Sequence, residues 1–373
     1  MLTGTLEKIT DSLSDLHAKI LFGRFGEKEI ETIMSYFGQT LKILHPDAEL
    51  FYSDSLDKFK ARASSSGSHC CLLLENPLER SDFPSLVNLA YGNKGITLIA
   101  LSTSSASSLD YAKLTTMAGR YDSYYLSPCS FWPQREGEDL ISSLLQGGSA
   151  HDRKQGSSAF LPYLPCASKI RKKEETANLL SVLLSHAGES LSLRRISSFS
   201  SSLVPNTVRR LLLECESRFL FYRLDEIELN SMKVRRSSFR LYPSDPSAYP
   251  FTRREAAEKA DLLCLSPIIG KLKEEGYSIF YGYLRLRERR TGPKRAYYDE
   301  GVGLYARKGR REMILSLDVS GKGEGEKAIQ KASPLLRRFL VQSGEEPPRQ
   351  GSRGVFRVGI ECLLSDDFDW EEQ

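Results

Sequence analysis

The sequence predicts a mixed α/β protein of more than one domain, and three observations carry that prediction. Over residues 1–145, strand-like apolar runs alternate with helix-length amphipathic stretches, as in a layered α/β sheet. Over residues 173–250, three helical segments precede two strand-like runs, the order of a winged helix. Residues 251–365 return to α/β, and a length of 373 residues accommodates two or three domains.

The elements follow in chain order. Ala18–Phe22 reads as a strand, Lys28–Phe37 as a helix and Ala48–Tyr52 as a strand. Cys70–Leu74 is a continuous apolar run of the kind that fills a doubly covered central strand. Phe83–Tyr91 reads as a helix, Gly95–Leu101 as another buried strand and Tyr121–Leu126 as the last of this set. Gly, Ser, Pro and Lys break the rhythm over 146–172, a linker or lid remnant. Helices are expected over Thr176–Ala187, Leu191–Phe199 and Pro205–Glu216, the third opening with proline in its first turn. Phe219–Leu224 and Ser238–Tyr242 form the expected hairpin. Beyond it come a helix over Arg253–Gly276, strands at Ser278–Leu286, Val302–Ala306 and Met313–Val319, a helix over Glu326–Gln342 and a strand over Val355–Cys362. The acidic tail 366–373 is expected to be disordered.

Composition excludes several classes. Hydrophobic residues are 40% and charged residues 27% of the chain, ordinary for a globular protein. No apolar run reaches the roughly 20 residues that span a bilayer, so no membrane partner is expected. Residues 1–20 lack the apolar core of a signal peptide, which points to the cytoplasm. The seven cysteines include no CxxC pair, several sit in apolar runs, and they read as buried thiols. The five histidines are scattered, with no HxxxH and no zinc-ligand spacing to cysteine, so no metal site is expected. No GxSxG nucleophile elbow is present.

Three stretches carry a family resemblance. Residues 99–131 read IALSTSSASSLDYAKLTTMAGRYDSYYLSPCSF, residues 207–226 TVRRLLLECESRFLFYRLDE, and residues 258–285 EKADLLCLSPIIGKLKEEGYSIFYGYLR. In this order they resemble an archaeal-type AAA P-loop ATPase family with a winged-helix module and a C-terminal restriction-endonuclease-like domain of unknown function. The resemblance implies a degenerate P-loop, AAA-like three-layer domain over 1–145, the linker over 146–172, a helical and winged-helix module over 173–250 and a nuclease-like domain over 251–365.

It also places a nucleotide site whose expected residues are largely missing. A P-loop curls backbone N–H groups around phosphates, neutralises them with Lys and holds Mg²⁺ by a hydroxyl. Here Gly23, Arg24, Gly26 and Lys28 resemble fragments of that loop, but its Gly-Lys-Thr heart reads Gly-Glu-Lys-Glu. Glu27 and Glu29 then repel a polyphosphate, at a cost of kilocalories in a partly buried site. After the Walker-B-like strand, the Asp-Glu pair has become Glu75-Asn76, and an amide is no general base. Ser104 and Arg120 fall where the family has its polar sensor and a late arginine.

The other two parts carry charge. Residues 194–240 hold ten basic and five acidic side chains, a net +5. Arg209 and Arg210 on the third helix, and Lys233, Arg235 and Arg236 at the wing, are the candidate phosphate contacts. Residues 285–311 hold ten basic against three acidic side chains, with tyrosines interleaved. In the nuclease-like part the resemblance implies an Asp on one strand and Glu-x-Lys on the next, binding Mg²⁺. This chain offers Asp299 and Glu300, then Asp318, with Ser320 in the lysine position.

The expected function is a catalytically degenerate member acting as a binding or scaffold module that contacts nucleic acid or protein, without a cofactor. Two alternatives stand beside it. One is an ATPase with a non-standard loop, binding ATP and Mg²⁺ through Lys28, Glu75 and Arg120. The other is a metal-dependent nuclease using Asp299, Glu300 and Asp318.

Overall fold

A computed structural model describes residues 3–15, 17–64, 69–104, 116–128, 139–146, 173–199, 203–287, 297–365, 368 and 370. The described residues fall into two units, one up to 128 with Ser217–Leu220, the other from 139 to 216 and from 221 onward. Among them, no helix is long and apolar enough to cross a membrane.

In the first unit, β1 (Ala18–Gly23), β2 (Glu49–Tyr52), β3 (Cys70–Glu75), β4 (Ile96–Ser102) and β5 (Tyr121–Leu126) form a parallel sheet of order β2-β3-β4-β1-β5. β1, β3 and β4 are buried almost throughout because helices cover both faces, which explains why they are largely apolar, with Lys19 in β1 and Thr97 in β4 as buried exceptions. Alternate residues serve opposite faces: Leu72 and Leu74 join one apolar cluster, Cys71 and Leu73 the other. Helices α1 (Thr3–Asp11) and α2 (Glu27–Leu44) cover the second cluster, and α3 (Leu56–Ala63) and α4 (Phe83–Ala90) the first. α2 presents Ile30, Ile33, Met34, Phe37 and Leu41 at helical spacing, and it stops at His45, which precedes Pro46 and takes an extended φ of −134°.

The chain leaves β1 towards one edge of the sheet and leaves β4 towards the other. The C-terminal ends of β1 and β4 therefore flank the topological switch point, where open α/β sheets keep their crevice. At the other end, Lys19 is buried inside β1 at 1% exposure, its Nζ 2.6 Å from Asp122 Oδ2 on β5. The sequence reading missed this pair, since a lysine among Ala18 and Ile20 looks like an exposed strand position.

The second unit opens with helices over Leu140–Gln146, Lys173–Ser185, Leu193–Ser198 and Pro205–Ser217, and then the hairpin β6 (Phe221–Glu228) and β7 (Lys233–Pro243). Leu191 bridges to Phe239 on β7, tying the start of the helix Leu193–Ser198 to the hairpin. The hairpin is longer than expected, and it does not stand apart from the C-terminal part. β6 runs parallel to β8 (Ser278–Arg287). The remaining strands are β9 (Tyr297–Lys308), β10 (Arg311–Leu317), β11 (Arg337–Gln342), β12 (Arg349–Gln350) and β13 (Val355–Gly359), and together with β6, β7 and β8 they form a mixed eight-stranded sheet of order β12-β13-β11-β10-β9-β8-β6-β7.

Four expectations need correction. The helix over Glu326–Gln342 is a short helix, Glu324–Ile329, followed by β11: Ser333-Pro334 ends the helical run, and Phe339, Leu340 and Val341 form a buried strand. The strand over Val355–Cys362 ends at Gly359 and turns into the helix Ile360–Leu364. The helix over Arg253–Gly276 breaks at Lys259; its first piece is set by a Thr252–Glu255 capping box. In the acidic tail, Phe368 and Trp370 are buried, with Trp370 edge-on to Phe339, because two aromatic rings gain more from burial than their acidic neighbours resist. Of the linker expected over 146–172, Gln146 ends the helix Leu140–Gln146 and the rest lies outside the described residues.

The Lys19–Asp122 pair makes a stability prediction. Burial alone would raise the Asp122 carboxyl, but hydrogen bonds from Lys19 and His17 outweigh it and hold it below its ordinary value. A depressed native pKa stabilises the fold above the ordinary carboxylate value of about 3.9, and that contribution fades as pH falls through the native value. Asp122→Asn is expected to cost about 2 kcal/mol near neutral pH, less than a fully buried pair because Asp122 keeps part of its surface in water. Urea unfolding near neutral pH and below about pH 4 checks this: the wild type should lose stability on acidification more steeply than the variant.

Candidate functional site

The crevice of the first sheet is built more tightly than a phosphate cradle. The turn from β1 to α2 contains only Arg24, Phe25 and Gly26. A Cβ on Gly23 would stand 2.5 Å from the Leu126 carbonyl oxygen and 2.7 Å from the Phe25 ring, so Gly23 serves close packing. Phe25, Arg24 and Glu29 are buried there. Lys28 lies in the first turn of α2, and its side chain is outside the described residues.

The other nucleotide-site candidates are tied into local structure or lie elsewhere. Glu75 is exposed at the end of β3, and its backbone N–H donates to Ser53 Oγ at 3.0 Å. Asn76 takes the left-handed conformation, φ 43°, and its Oδ1 accepts from Thr103 Oγ1 at 2.9 Å. Ser104 is buried, its Oγ accepting from Arg218 at 2.6 Å and its N–H donating to Ser102 Oγ at 3.2 Å. Arg120 is not at this end of the sheet. Its carbonyl accepts from the Ala18 N–H at the start of β1, about 16 Å of strand from the Gly23 turn. The Arg120 side chain is bonded to Asn88 and lies 5.8 Å from the Tyr91 ring centroid.

The three nuclease-like carboxylates do not converge. Asp299 and Glu300 are adjacent on β9 and face opposite sides of the sheet; Asp299 pairs with Arg235 at 2.7 Å and Glu300 with Lys331 at 2.5 Å. Asp318, just past β10, accepts from the Gly323 N–H at 2.7 Å and closes its own turn. Ser320, in the lysine position, donates to Asp261 Oδ2 at 2.5 Å. Among the described residues, no group of three His, Cys, Asp or Glu side chains is placed to hold a metal ion.

The hairpin brings charge together. A cleft of about 800 Å³ opens between the segment 190–195 and the strands β6 and β7, lined by Arg194, Arg195, Arg223, Arg235 and Arg236 and by no acidic residue. Two local features create it. Ser192 caps the helix Leu193–Ser198, accepting from the Arg195 N–H at 3.2 Å, while the Leu191–Phe239 bridge holds that turn against β7. In β7, Arg235 pairs with Glu226 and Phe239 with Asp225, so Arg236, Ser237 and Ser238 bulge out of the ladder.

Beneath the bulge lies the carboxylate that orders it. Glu226 is 3% exposed and accepts from Ser238 Oγ at 2.5 Å and Arg240 Nε at 3.2 Å, with Arg235 at 3.7 Å. Arg235 also lies 4.4 Å from the Tyr283 ring centroid and Arg223 4.3 Å from that of Phe239, so both guanidinium planes are fixed by stacking as well as by charge. Arg195 pairs with Glu189 at 2.7 Å. Arg194 and Arg236 are exposed, and among the described residues neither side chain has a hydrogen bond or an ion pair. The cleft therefore combines braced arginines with two uncommitted ones, an arrangement suited to phosphate oxygens.

Of the predicted contacts, Arg235 and Arg236 line this cleft; Arg209 and Arg210 are exposed on the helix Pro205–Ser217, and Lys233 is exposed at the start of β7. Sequence reasoning counted Arg194, Arg195 and Arg223 as charge without placing them, and it missed Glu226, which looks like one acid in an acidic turn. The available signal was the serine immediately before Leu193-Arg194-Arg195, a helix cap that sets an arginine pair at a turn.

No family model matches the chain, and no curated protein matches it. Among solved structures it is similar to the crystal structure of Saccharomyces cerevisiae RIF2, at 10% identity over 56% of this chain and 78% of that one, with a TM-score of 0.26. A likeness that loose carries no argument about fold or role.

The buried carboxylate generates the prediction for this site. Glu226→Gln keeps the side chain's shape but removes the charge that faces Arg235 and Arg240, at an expected cost of about 2–3 kcal/mol. A shift of the urea midpoint for the second unit checks it; an unchanged midpoint contradicts the role given to Glu226.

Proposed function

We propose that the chain is a catalytically degenerate, AAA-like binding module that holds nucleic acid by its phosphates in the arginine cleft. The observation that carries this reading is the cleft itself: five arginines, no lining acid, and exposed Arg194 and Arg236 without partners among the described residues. Anionic polymers with regularly spaced charges are the ligands that such a surface attracts. Support for the ancestry comes from the parallel sheet with its switch point at β1, followed by a run of helices, with the Leu191 bridge among them, and then a hairpin, in the family's order. A reducing, cytoplasmic setting suits the cysteines: the described ones form no disulfide, and burial pushes the Cys71 thiol up to about 12.

Loss of ATPase chemistry belongs to the same reading. A three-residue turn packed by Phe25 leaves few N–H groups to curl around phosphates, and Arg120 stands a strand's length away. Calorimetric titration with Mg-ATP should give no saturable heat; saturable binding that Lys28→Ala abolishes contradicts the reading.

Binding itself is tested with the double variant Arg194→Ala/Arg236→Ala and a labelled oligonucleotide over rising salt. Each lost phosphate contact should lower the slope of log K against log salt by about 0.7–0.9. The double variant is expected to bind at least about tenfold more weakly at low salt, with a slope shallower by about 1.5. Equal affinity and equal slope for both proteins overturn the proposal.

A further inference from the structure

The polar face of the second sheet runs on from the cleft to the far ends of β8 and β9. Asp299 and Glu300 separate the two faces of β9, since Asp299 takes Arg235 and Glu300 takes Lys331. Alternation puts Tyr297 on the Asp299 face and Tyr298 on the Glu300 face. The register on β8 agrees: Tyr298 stands opposite Leu286, Glu300 opposite Leu284 and Asp299 opposite Arg285. Leu284 and Leu286 belong to an apolar cluster with Ile314 and Leu340. Tyr298 therefore sits at the end of the core face, and Tyr297 at the end of the face that carries Arg235 and Tyr283.

The two tyrosines are equally open, at 50% and 49% exposure, but among the described residues only Tyr297 has a cation beside its ring: the Arg285 guanidinium lies 5.3 Å from the centroid. Among the described residues, Arg285 has no hydrogen-bonded or ion-paired side-chain partner. Tyr297 is two residues, about 7 Å, along the strand from Asp299, whose partner Arg235 lines the cleft. An exposed ring beside a guanidinium, linked through Asp299 and Arg235 to an arginine cleft, fits a strand whose bases are not already stacked on a partner. A duplex offers no free base face except at its ends, whereas each base of a single strand does.

We infer that the cleft takes single-stranded nucleic acid, its phosphates held by the arginines and a base stacked on Tyr297. This rests on the reading of the cleft as a phosphate-binding surface. The experiment is fluorescence anisotropy on the full chain with a labelled single-stranded DNA, the RNA of the same sequence and the matching DNA duplex. The variants are Tyr297→Ala, Tyr297→Phe, Tyr298→Ala and Arg194→Ala/Arg236→Ala. Tyr297→Ala should weaken single-strand binding about tenfold and change duplex binding by less than about twofold. Tyr297→Phe should keep the affinity, and Tyr298→Ala, equally exposed on the other face, should leave all three ligands unaffected. Equal affinity for single-stranded DNA and RNA, both above the duplex, supports the inference, and a preference for one of the two single strands supports it and also identifies the sugar. Tighter duplex binding by the wild type overturns it, as does an unchanged Tyr297→Ala or an equal loss in Tyr298→Ala. If the arginine variant alone loses affinity in those cases, the phosphate reading survives; if it loses none, both fall.

Discussion

The second unit depends on one buried negative charge. Glu226 sits at the point where β7 carries three more residues than β6, and it receives Ser238, Arg240 and Arg235 on its two oxygens. A carboxylate removed from water demands such partners, and the partners in turn fix the bulge. Because Ser238 folds back to Glu226, Arg236 and Ser237 are left outside the ladder. Because Arg240 is held there, it can also bond the Gly188 carbonyl and lie 3.5 Å from the Tyr281 ring centroid. The turn before the helix Leu193–Ser198 is thus tied to the strands from two directions, by Arg240 at Gly188 and by the Leu191–Phe239 bridge.

This arrangement explains how so much positive charge is gathered without collapse. Like charges at such spacing repel, and three devices offset that repulsion here. Glu226 and Asp299 neutralise Arg235 from two sides; Glu189 neutralises Arg195; Phe239 and Tyr283 accept the guanidinium faces of Arg223 and Arg235. Phe239 lines the cleft but carries no charge, and the three carboxylates lie outside the lining, so the open side remains cationic. The three carboxylates expected to form a nuclease-like centre do similar structural work: Asp299 braces an arginine, Glu300 pairs with Lys331, and Asp318 closes a turn.

Much of the first sheet was legible, because strands covered on both faces leave an unmistakable record. Cys70–Leu74 is apolar without interruption and Ile96–Leu101 is apolar except at Thr97, and the structure buries both throughout. The sequence misled where charge hid a strand or a core position. Arg337-Arg338 made β11 look like the end of a helix, although Arg338 is buried and donates to the Ala332 and Arg353 carbonyls. Lys19 lies in a strand that was expected, but its enclosure with Asp122 was not. The cleft was legible only as two basic stretches. What joins residues about 40 apart is a single bridge and a bulge, and neither has a periodic signature. Arg120 shows the converse: a motif match in sequence placed it at a site that the parallel strands put at their opposite end.

The central claim is that a ligand sits in the arginine cleft of the second unit and not in the crevice of the first sheet. Hydrogen–deuterium exchange on the full chain, with and without a short oligonucleotide, tests it most directly. The account predicts slowed exchange over 190–195 and 233–239 with no change over 23–30. Protection confined to the β1–α2 turn, or none anywhere, contradicts it.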